Sequence, residues 1–258
     1  MNIIKKQPLI KRLQFTKDKG FGERARIGLL VLESDQTIEE DFRLLTNLPG
    51  VTIYHARLAN DVIVTPKTLA NMEKELPIAA RLLPKYFGIK SIGYGCTSAA
   101  TIIGEEKVAA IIGKIHPNIP FSNPLTAAKA AFNKMGVKRI GLVTPYTPDV
   151  TEALQRKFTE ANFSVTVVGS YYEESDLNVG QIDSESILDA AISVGESKDC
   201  DGVFISCTAL RATGIIREAE KRLNKPVTGS NHSLAWHLLR LAGINDKFPN
   251  LGRLFSEF

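Results

Sequence analysis

The sequence predicts an α/β fold of two duplicated lobes, each a four-stranded parallel sheet flanked by helices, with an active site between the lobes. Three observations predict it. Apolar, β-prone runs alternate with helical stretches along the 258 residues, and the same order of runs occurs twice. A Cys–Thr pair also stands just after the third run of each series, in "IGYGCTS" (92–98) and "ISCTA" (205–209).

The first series opens with "RIGLLVL" (26–32), followed by "VTIYHAR" (51–57), "SIGYG" (91–95) and "IPFS" (119–122), all read as strands. Helical spacing or helix-forming residues fill 35–48, 65–86 and 98–115, and Pro77 and Pro84 should kink or shorten the middle stretch. The second series repeats the order with strands at 139–144, 163–170, 201–206 and 225–230. Its helices are expected at 148–162, 183–197, 209–224 and 231–243.

The two series align block by block. "RIGLLVLESDQTIEEDFRLL" from 26 matches "RIGLVTPYTPDVTEALQRKF" from 139, and "IPFSNPLTAAKAAFNKMG" from 119 matches "KPVTGSNHSLAWHLLRLAG" from 225. Asn123 and Asn231 each fall in an N-cap position in that second pair. The organisation expected is a basic arm (1–25), a first lobe (26–122) completed by the helix at 231–243, a second lobe (123–230) and a tail (244–258). Strands joined by helices form parallel sheets, whose ligands bind beyond the carboxyl ends of the strands. Two such lobes face each other with the ligand between those ends.

The net charge of +4 is concentrated at the N-terminus, where Lys5, Lys6, Lys11, Arg12, Lys17, Lys19, Arg24 and Arg26 face only Asp18 and Glu23. The body is left slightly acidic, with no basic footprint for nucleic acid. No apolar run reaches the roughly 18 residues of a membrane span, and the start lacks a signal-peptide core, so a cytoplasmic protein is expected. Cys96, Cys200 and Cys207 make neither a disulfide framework nor metal-ligand spacing, and His55, His116, His232 and His237 are scattered. No metal and no cofactor is expected. The partners expected are a small carboxylate substrate and further copies of this chain, with neither nucleic acid nor membrane.

Cys96 and Cys207 sit where a strand gives way to a helix, and unpaired amides and the helix dipole there favour a thiolate. Thr97, Ser98 and Thr208 add hydroxyls suited to a carboxylate or carbonyl oxygen. Cys200 precedes its strand, at the wrong end for the cleft. A facing thiolate and thiol can remove a proton from one side of a carbon acid and deliver one to the other. One thiolate can instead add to an activated double bond while the second thiol supplies the proton.

Paired "GCTS" and "SCTA" turns in duplicated α/β lobes resemble the cofactor-independent Asp/Glu racemase superfamily. "GLLVLESDQTIEEDF", "GLVTPYTPDV" and "SCTALRA" look most like its maleate cis-trans isomerase, arylmalonate decarboxylase and ectoine-utilisation branch, over roughly 25–243. "VLESDQTIEEDF" is most similar to the ectoine-utilisation group. The resemblance implies that Cys96 and Cys207 are catalytic and that Thr97, Ser98 and Thr208 hold a substrate carboxylate. It implies substrate contacts for Tyr146, in "TPY", and for Asn178, in "DLNVGQI". Asp35 stands where maleate isomerases usually carry Asn, and an ionised Asp accepts where Asn can donate. Asp35 is therefore either a contact to a substrate nitrogen or only an N-cap. Tyr146 as a packed loop aromatic and Asn178 as a turn residue are the structural alternatives.

The function expected is a cofactor-independent isomerase, a racemase or cis-trans isomerase, acting on a small nitrogen-bearing carboxylate. An arylmalonate-type decarboxylase is the alternative, although such enzymes keep the thiol matching Cys207 and have Gly in place of Cys96. A non-enzymatic small-molecule binder is the third reading.

Overall fold

The computed structural model describes residues 10–258, so Lys5 and Lys6 of the basic arm lie outside the described residues. Residues 10–20 of that arm are exposed and form no helix or strand. The first half runs β1 (Ala25–Leu32), α1 (Ile38–Leu45), β2 (Val51–Leu58), α2 (Pro66–Asn71), α3 (Leu76–Leu82), β3 (Ser91–Gly95), α4 (Thr97–Ile103), α5 (Glu105–Ile115), β4 (Phe121–Ser122) and α6 (Pro124–Met135). The second runs β5 (Arg139–Thr144), α7 (Pro148–Glu160), β6 (Ser164–Ser170), α8 (Asp176–Val179), α9 (Ser184–Gly195), β7 (Gly202–Ile205), α10 (Ile216–Leu223), β8 (Val227–Gly229), α11 (Ser230–Leu241) and α12 (Arg253–Glu257).

Two four-stranded parallel sheets result, ordered β2-β1-β3-β4 and β6-β5-β7-β8. The identical order is the duplication expressed as topology. The inner strands β3 and β7 are buried throughout, as a sheet covered on both faces requires, whereas the edge strands β2 and β6 alternate with solvent. Each sheet reverses its winding between its first and third strands, which opens a crevice at their carboxyl ends.

The helices that close the two series cross over. Ser91 Oγ of β3 donates to the Leu238 carbonyl of α11 at 2.9 Å. Gly93 admits that helix, since a Cβ there would stand 2.6 Å from Leu238 Cδ1. In return, Phe132 of α6 packs on Phe204 of β7 and Phe158 of α7, with ring centroids 6.1 and 6.4 Å apart. The C-terminal segment is pinned as well, with Phe255 buried against His232.

The stretch 65–86 is broken, as expected of its prolines: it splits into α2, α3 and two 3-10 turns, with Pro77 in the first turn of α3, where its missing N–H costs nothing, and Pro84 just past its end. Three local expectations need correction. The stretch 98–115 breaks at Gly104, whose φ of 98° no L residue adopts easily. Asn123 does cap α6, accepting from the Leu125 and Thr126 amides. Asn231 instead lies inside α11, and its amide donates to Asp41 and to the Thr208 carbonyl, each at 2.8 Å. Finally, the helix expected from 209 begins only at Ile216, after a 3-10 turn. The Thr208 carbonyl goes to Asn231 and the Ala209 carbonyl to Thr37 Oγ1, so the acceptors of a first helical turn are already occupied.

Candidate active site

Four strand ends converge on one pocket: Leu32 from β1, Cys96, Thr97 and Ser98 after β3, Tyr146 after β5, and Cys207 with Thr208 after β7. These are the inner strands of both sheets, where the switch in strand order leaves the crevice. The pocket is tight, with about 10 Å³ open to the centre of a water-sized sphere. Val64, Thr68, Leu69 and Met72, from the segment after β2, close it from the side.

Cys96 caps α4. Its backbone is extended and its Sγ accepts from the Ala99 amide at 3.4 Å, with Ser98 Oγ 3.6 Å away. Cys207 is built differently, with a φ of 121° that strains a residue carrying a side chain. Ser230 Oγ holds it there, accepting from the Cys207 amide at 3.0 Å while hydrogen-bonding Thr97 Oγ1 at 2.7 Å. Ser230 thus ties the two cysteine turns together. Thr208 Oγ1 donates to the Gly95 carbonyl at 3.4 Å, a second brace between the lobes.

Both sulfurs are buried, and this overrides the expected ease of thiolate formation. Burial pushes the Cys96 thiol up to about 12, although the Ala99 amide and Ser98 hydroxyl pull it down and Asp176 and Asp35 add to the rise. Burial and the Asp176 charge push Cys207 well above its ordinary value, against the Ala209 amide and Tyr146. Both groups are therefore thiols at neutral pH.

Several polar atoms here have no partner among the described residues: Tyr146 Oη, Tyr94 Oη, Ser206 Oγ and Asp35 Oδ2 are all buried and unpaired. Buried polar groups are normally satisfied, so the Tyr146 hydroxyl, the one of the four on a pocket-lining residue, is a group a ligand can satisfy. Tyr146 is buried and lines the pocket, in line with a substrate contact.

The other expected contacts divide. Asp35 is buried behind the wall. Its Oδ1 accepts from the Thr37 and Ile38 amides, both at 2.8 Å, which is the capping geometry, and it does not line the pocket. Asn178 is exposed and donates to Glu173 Oε2 at 3.2 Å; the pocket residue is Asp176, two positions earlier on α8. Residues two apart on a helix point to different faces, so a two-residue error exchanges wall for solvent. Asp176 itself is buried, accepts from Ser34 Oγ at 2.9 Å, and has a carboxyl raised to about 6 by burial.

Cys200 stands apart from the pocket, its Sγ 3.5–3.7 Å from the Val194, Gly195 and Ser197 carbonyls. His232 is locked between Thr228 Oγ1 and the Leu251 carbonyl and pushed down to about 4 by burial, a structural role. Among the described residues no cluster of His, Cys, Asp and Glu is arranged to hold a metal, and no helix is long and apolar enough to cross a membrane.

Comparison with known proteins agrees with this arrangement. Residues 58–255 match the arylmalonate decarboxylase family. The chain is 32% identical to arylmalonate decarboxylase of Bordetella bronchiseptica over 141 residues, which cover 54% of this chain and 59% of that protein. It is 25% identical to maleate isomerase of Nocardia farcinica over 90% of this chain and 96% of the relative. Among solved structures, a doubly substituted arylmalonate decarboxylase in liganded form is similar with a TM-score of 0.81 and 27% identity, over 91% of this chain and all (100%) of that one. The maleate isomerase of Pseudomonas putida S16 shares the fold with a TM-score of 0.82 at 21% identity, over 90% of this chain and 98% of that one. The chain therefore belongs to the arylmalonate decarboxylase family and is an enzyme of the cofactor-independent Asp/Glu racemase superfamily.

Proposed function

We propose that this enzyme isomerises a small, nitrogen-bearing carboxylate, as a racemase or cis-trans isomerase, with Cys96 and Cys207 acting from opposite sides. One observation carries the reading: two thiols from equivalent strand ends of two lobes line a single buried pocket. A structural cysteine needs neither the duplication nor the pocket.

The chemistry follows from the surroundings. The Thr97 and Ser98 amides open α4 and find no acceptor among the described residues, so a substrate carboxylate can take them. As a proton leaves the adjacent carbon, charge develops on that carboxylate, where the amides and the Tyr146 hydroxyl stabilise it. In the racemase form, one sulfur as thiolate takes the proton from carbon and the other, as thiol, returns one to the opposite face. In the cis-trans form, a thiolate adds to the double bond, the new single bond rotates, and elimination restores thiolate and alkene. Burial raises both thiols well above neutral pH, so the reacting thiolate is a minor form of either. The likeness of residues 31–42 to the ectoine-utilisation group points to a substrate with nitrogen.

A second reading is favoured by the family match and by the apolar wall of Val64, Leu69 and Met72, which suits an aryl group. There the carbon–carboxylate bond breaks, CO₂ leaves, and one thiol protonates the carbon.

Incubation with small carboxylates in D₂O, followed by NMR, tests both. Deuterium entering the substrate carbon with inversion, or conversion of a cis to a trans alkene, supports the isomerase. Stoichiometric CO₂ release with a single deuteron on the product moves the decarboxylase ahead, and no turnover of any carboxylate refutes both.

A further inference from the structure

Asp176 raises a problem for a pocket meant for carboxylates. No Lys, Arg or His lines the cavity among the described residues, whereas two carboxyl residues do, the buried Asp176 and the exposed Asp61. A dianionic substrate would bring a second carboxylate toward Asp176 with no cation to offset either.

Its hydrogen bonding has a fixed direction. The Ser34 amide donates to Asn60 Oδ1 at 3.1 Å, and since a backbone N–H can only donate, the Asn60 amide orientation is determined. Asn60 Nδ2 must then be the donor to Ser34 Oγ at 2.8 Å. The Ser34 hydroxyl proton goes onward to Asp176 Oδ2 at 2.9 Å. The relay Asn60 to Ser34 to Asp176 therefore runs one way and holds Asp176 as an acceptor. It also spans the lobes, because Ser34 and Asn60 follow β1 and β2 while Asp176 follows β6. A short antiparallel contact holds the backbone there: Asp176 N donates to the Val62 carbonyl at 2.9 Å and Val64 N to the Glu174 carbonyl at 2.8 Å. Asp176 Oδ1 receives no hydrogen bond from any described residue. The buried Tyr146 hydroxyl, on another residue of the pocket wall, also lacks a partner.

We propose that Asp176, oriented by Ser34 and Asn60, is the receptor for a substrate ammonium or N–H group, so that the pocket selects an amino-bearing carboxylate over a plain dicarboxylate. This rests on the two-thiol pocket being the substrate site. It also moves nitrogen recognition from Asp35, whose Oδ1 is spent on amides, to a residue that the cavity exposes. Salt-bridging an ammonium restores the charge balance that the walls lack, and Ser34 keeps the carboxylate aimed while it does so.

Aspartate and succinate differ only by the amino group and serve as the probe pair, with alanine and propionate as a second pair and maleate as a further plain dicarboxylate. Binding is measured by calorimetry on the Cys96→Ala, Cys207→Ala double variant, so the result does not depend on turnover. The thiol chemistry is tested separately by the activity of the single variants. The amino-bearing member of each pair should bind at least tenfold tighter. Asp176→Asn should remove that advantage by about 30-fold or more. The Ser34 hydroxyl will hold the new side-chain oxygen at the Oδ2 position and turn the amide N–H₂ into the pocket, converting an acceptor into a donor and improving maleate binding. Ser34→Ala, a milder change should Asp176→Asn fold poorly, should weaken aspartate several-fold and leave succinate unmoved. Equal binding within the pairs, binding of the dicarboxylates alone, no binding of any amino-bearing probe at millimolar concentration, or an unchanged preference in both variants overturns the proposal.

Discussion

The two Cys–Thr turns share a sequence pattern but not a structure. In the first, Cys96 has an extended backbone, caps a helix and has an amide donor on its sulfur. In the second, Cys207 has a left-handed φ of 121°, no helix follows for several residues, and its amide leans on Ser230, 23 residues further along the chain. Duplication therefore delivered two thiols to one pocket and then let their surroundings diverge. A fully symmetric pair would treat both faces of a substrate alike. This pair does not: the Asp176 charge is the second-largest cause of the rise at Cys207 and only a minor one at Cys96, which leaves Cys96 the easier thiolate.

The sharpest way to break the comparison is to remove each thiol. Cys96→Ala and Cys207→Ala should each reduce kcat/KM by about 10³-fold or more, with the double variant no worse than either single one, since groups acting as a unit are non-additive. Cys200→Ala should stay close to wild type. Retention of full activity in Cys96→Ala would make the chemistry one-sided and favour decarboxylation.

Ser230→Ala removes the bridge between the turns and should lower kcat by roughly 10- to 100-fold through misplacement of Cys207. The discriminating readout is thiol alkylation, in which Cys207 should change its rate while Cys96 barely does. A merely structural role would move both together.

The carboxylate facing both thiols sharpens the comparison through pH. Asp176 has its carboxyl raised to about 6 by burial, with Asp35 adding to the rise. The unfolded chain releases this proton earlier than the folded one, so its contribution to stability falls as pH rises from about 4 to about 6 and stays lost above that. Asp176→Asn should therefore stabilise the protein by roughly 1–3 kcal/mol at pH 7–8, and by nothing below pH 4. Chemical denaturation across that range checks the sign, and a gain that persists at pH 3.5 would show that titration is not its cause.

The smallest effects belong to the outer supports. Thr37→Val frees the Ala209 carbonyl of the second turn and should cost about 1–2 kcal/mol. Thr101→Val removes only a second bond to the Thr97 carbonyl in the first turn and should cost under about 0.5 kcal/mol. Asp35→Asn retains the cap oxygen and should leave ligand preference unchanged, as thermal shifts with aspartate and succinate would show.

Most of the site was legible because it sits at strand ends. Cys96, Thr97, Ser98, Tyr146, Cys207 and Thr208 all follow inner strands whose apolar runs announce them. Asp176 was not, because nothing local distinguishes it from Asn178. The pairing of residues 62–64 with 174–176 across the lobes selects which of the two meets the cavity. Asn60 carried a usable signal, standing just past the second strand at its carboxyl end. Asp35 was open between cap and contact, and the directions of the Thr37 and Ile38 amides favour the cap.

By itself the sequence determined the strands, the duplication, the parallel order and the two cysteines at equivalent ends, since period, apolar runs and turn residues act over a few positions. Tertiary structure decided what those cysteines are. Their protonation depends on how completely the lobes exclude water, and the Cys207 backbone depends on Ser230, while Asn231 holds the Thr208 carbonyl beside it. The exchange of α6 and α11 between sheets depends on small residues such as Gly93 meeting Leu238. Desolvation and long-range hydrogen bonds are set by neighbours far away in the chain, and only the folded molecule brings them together.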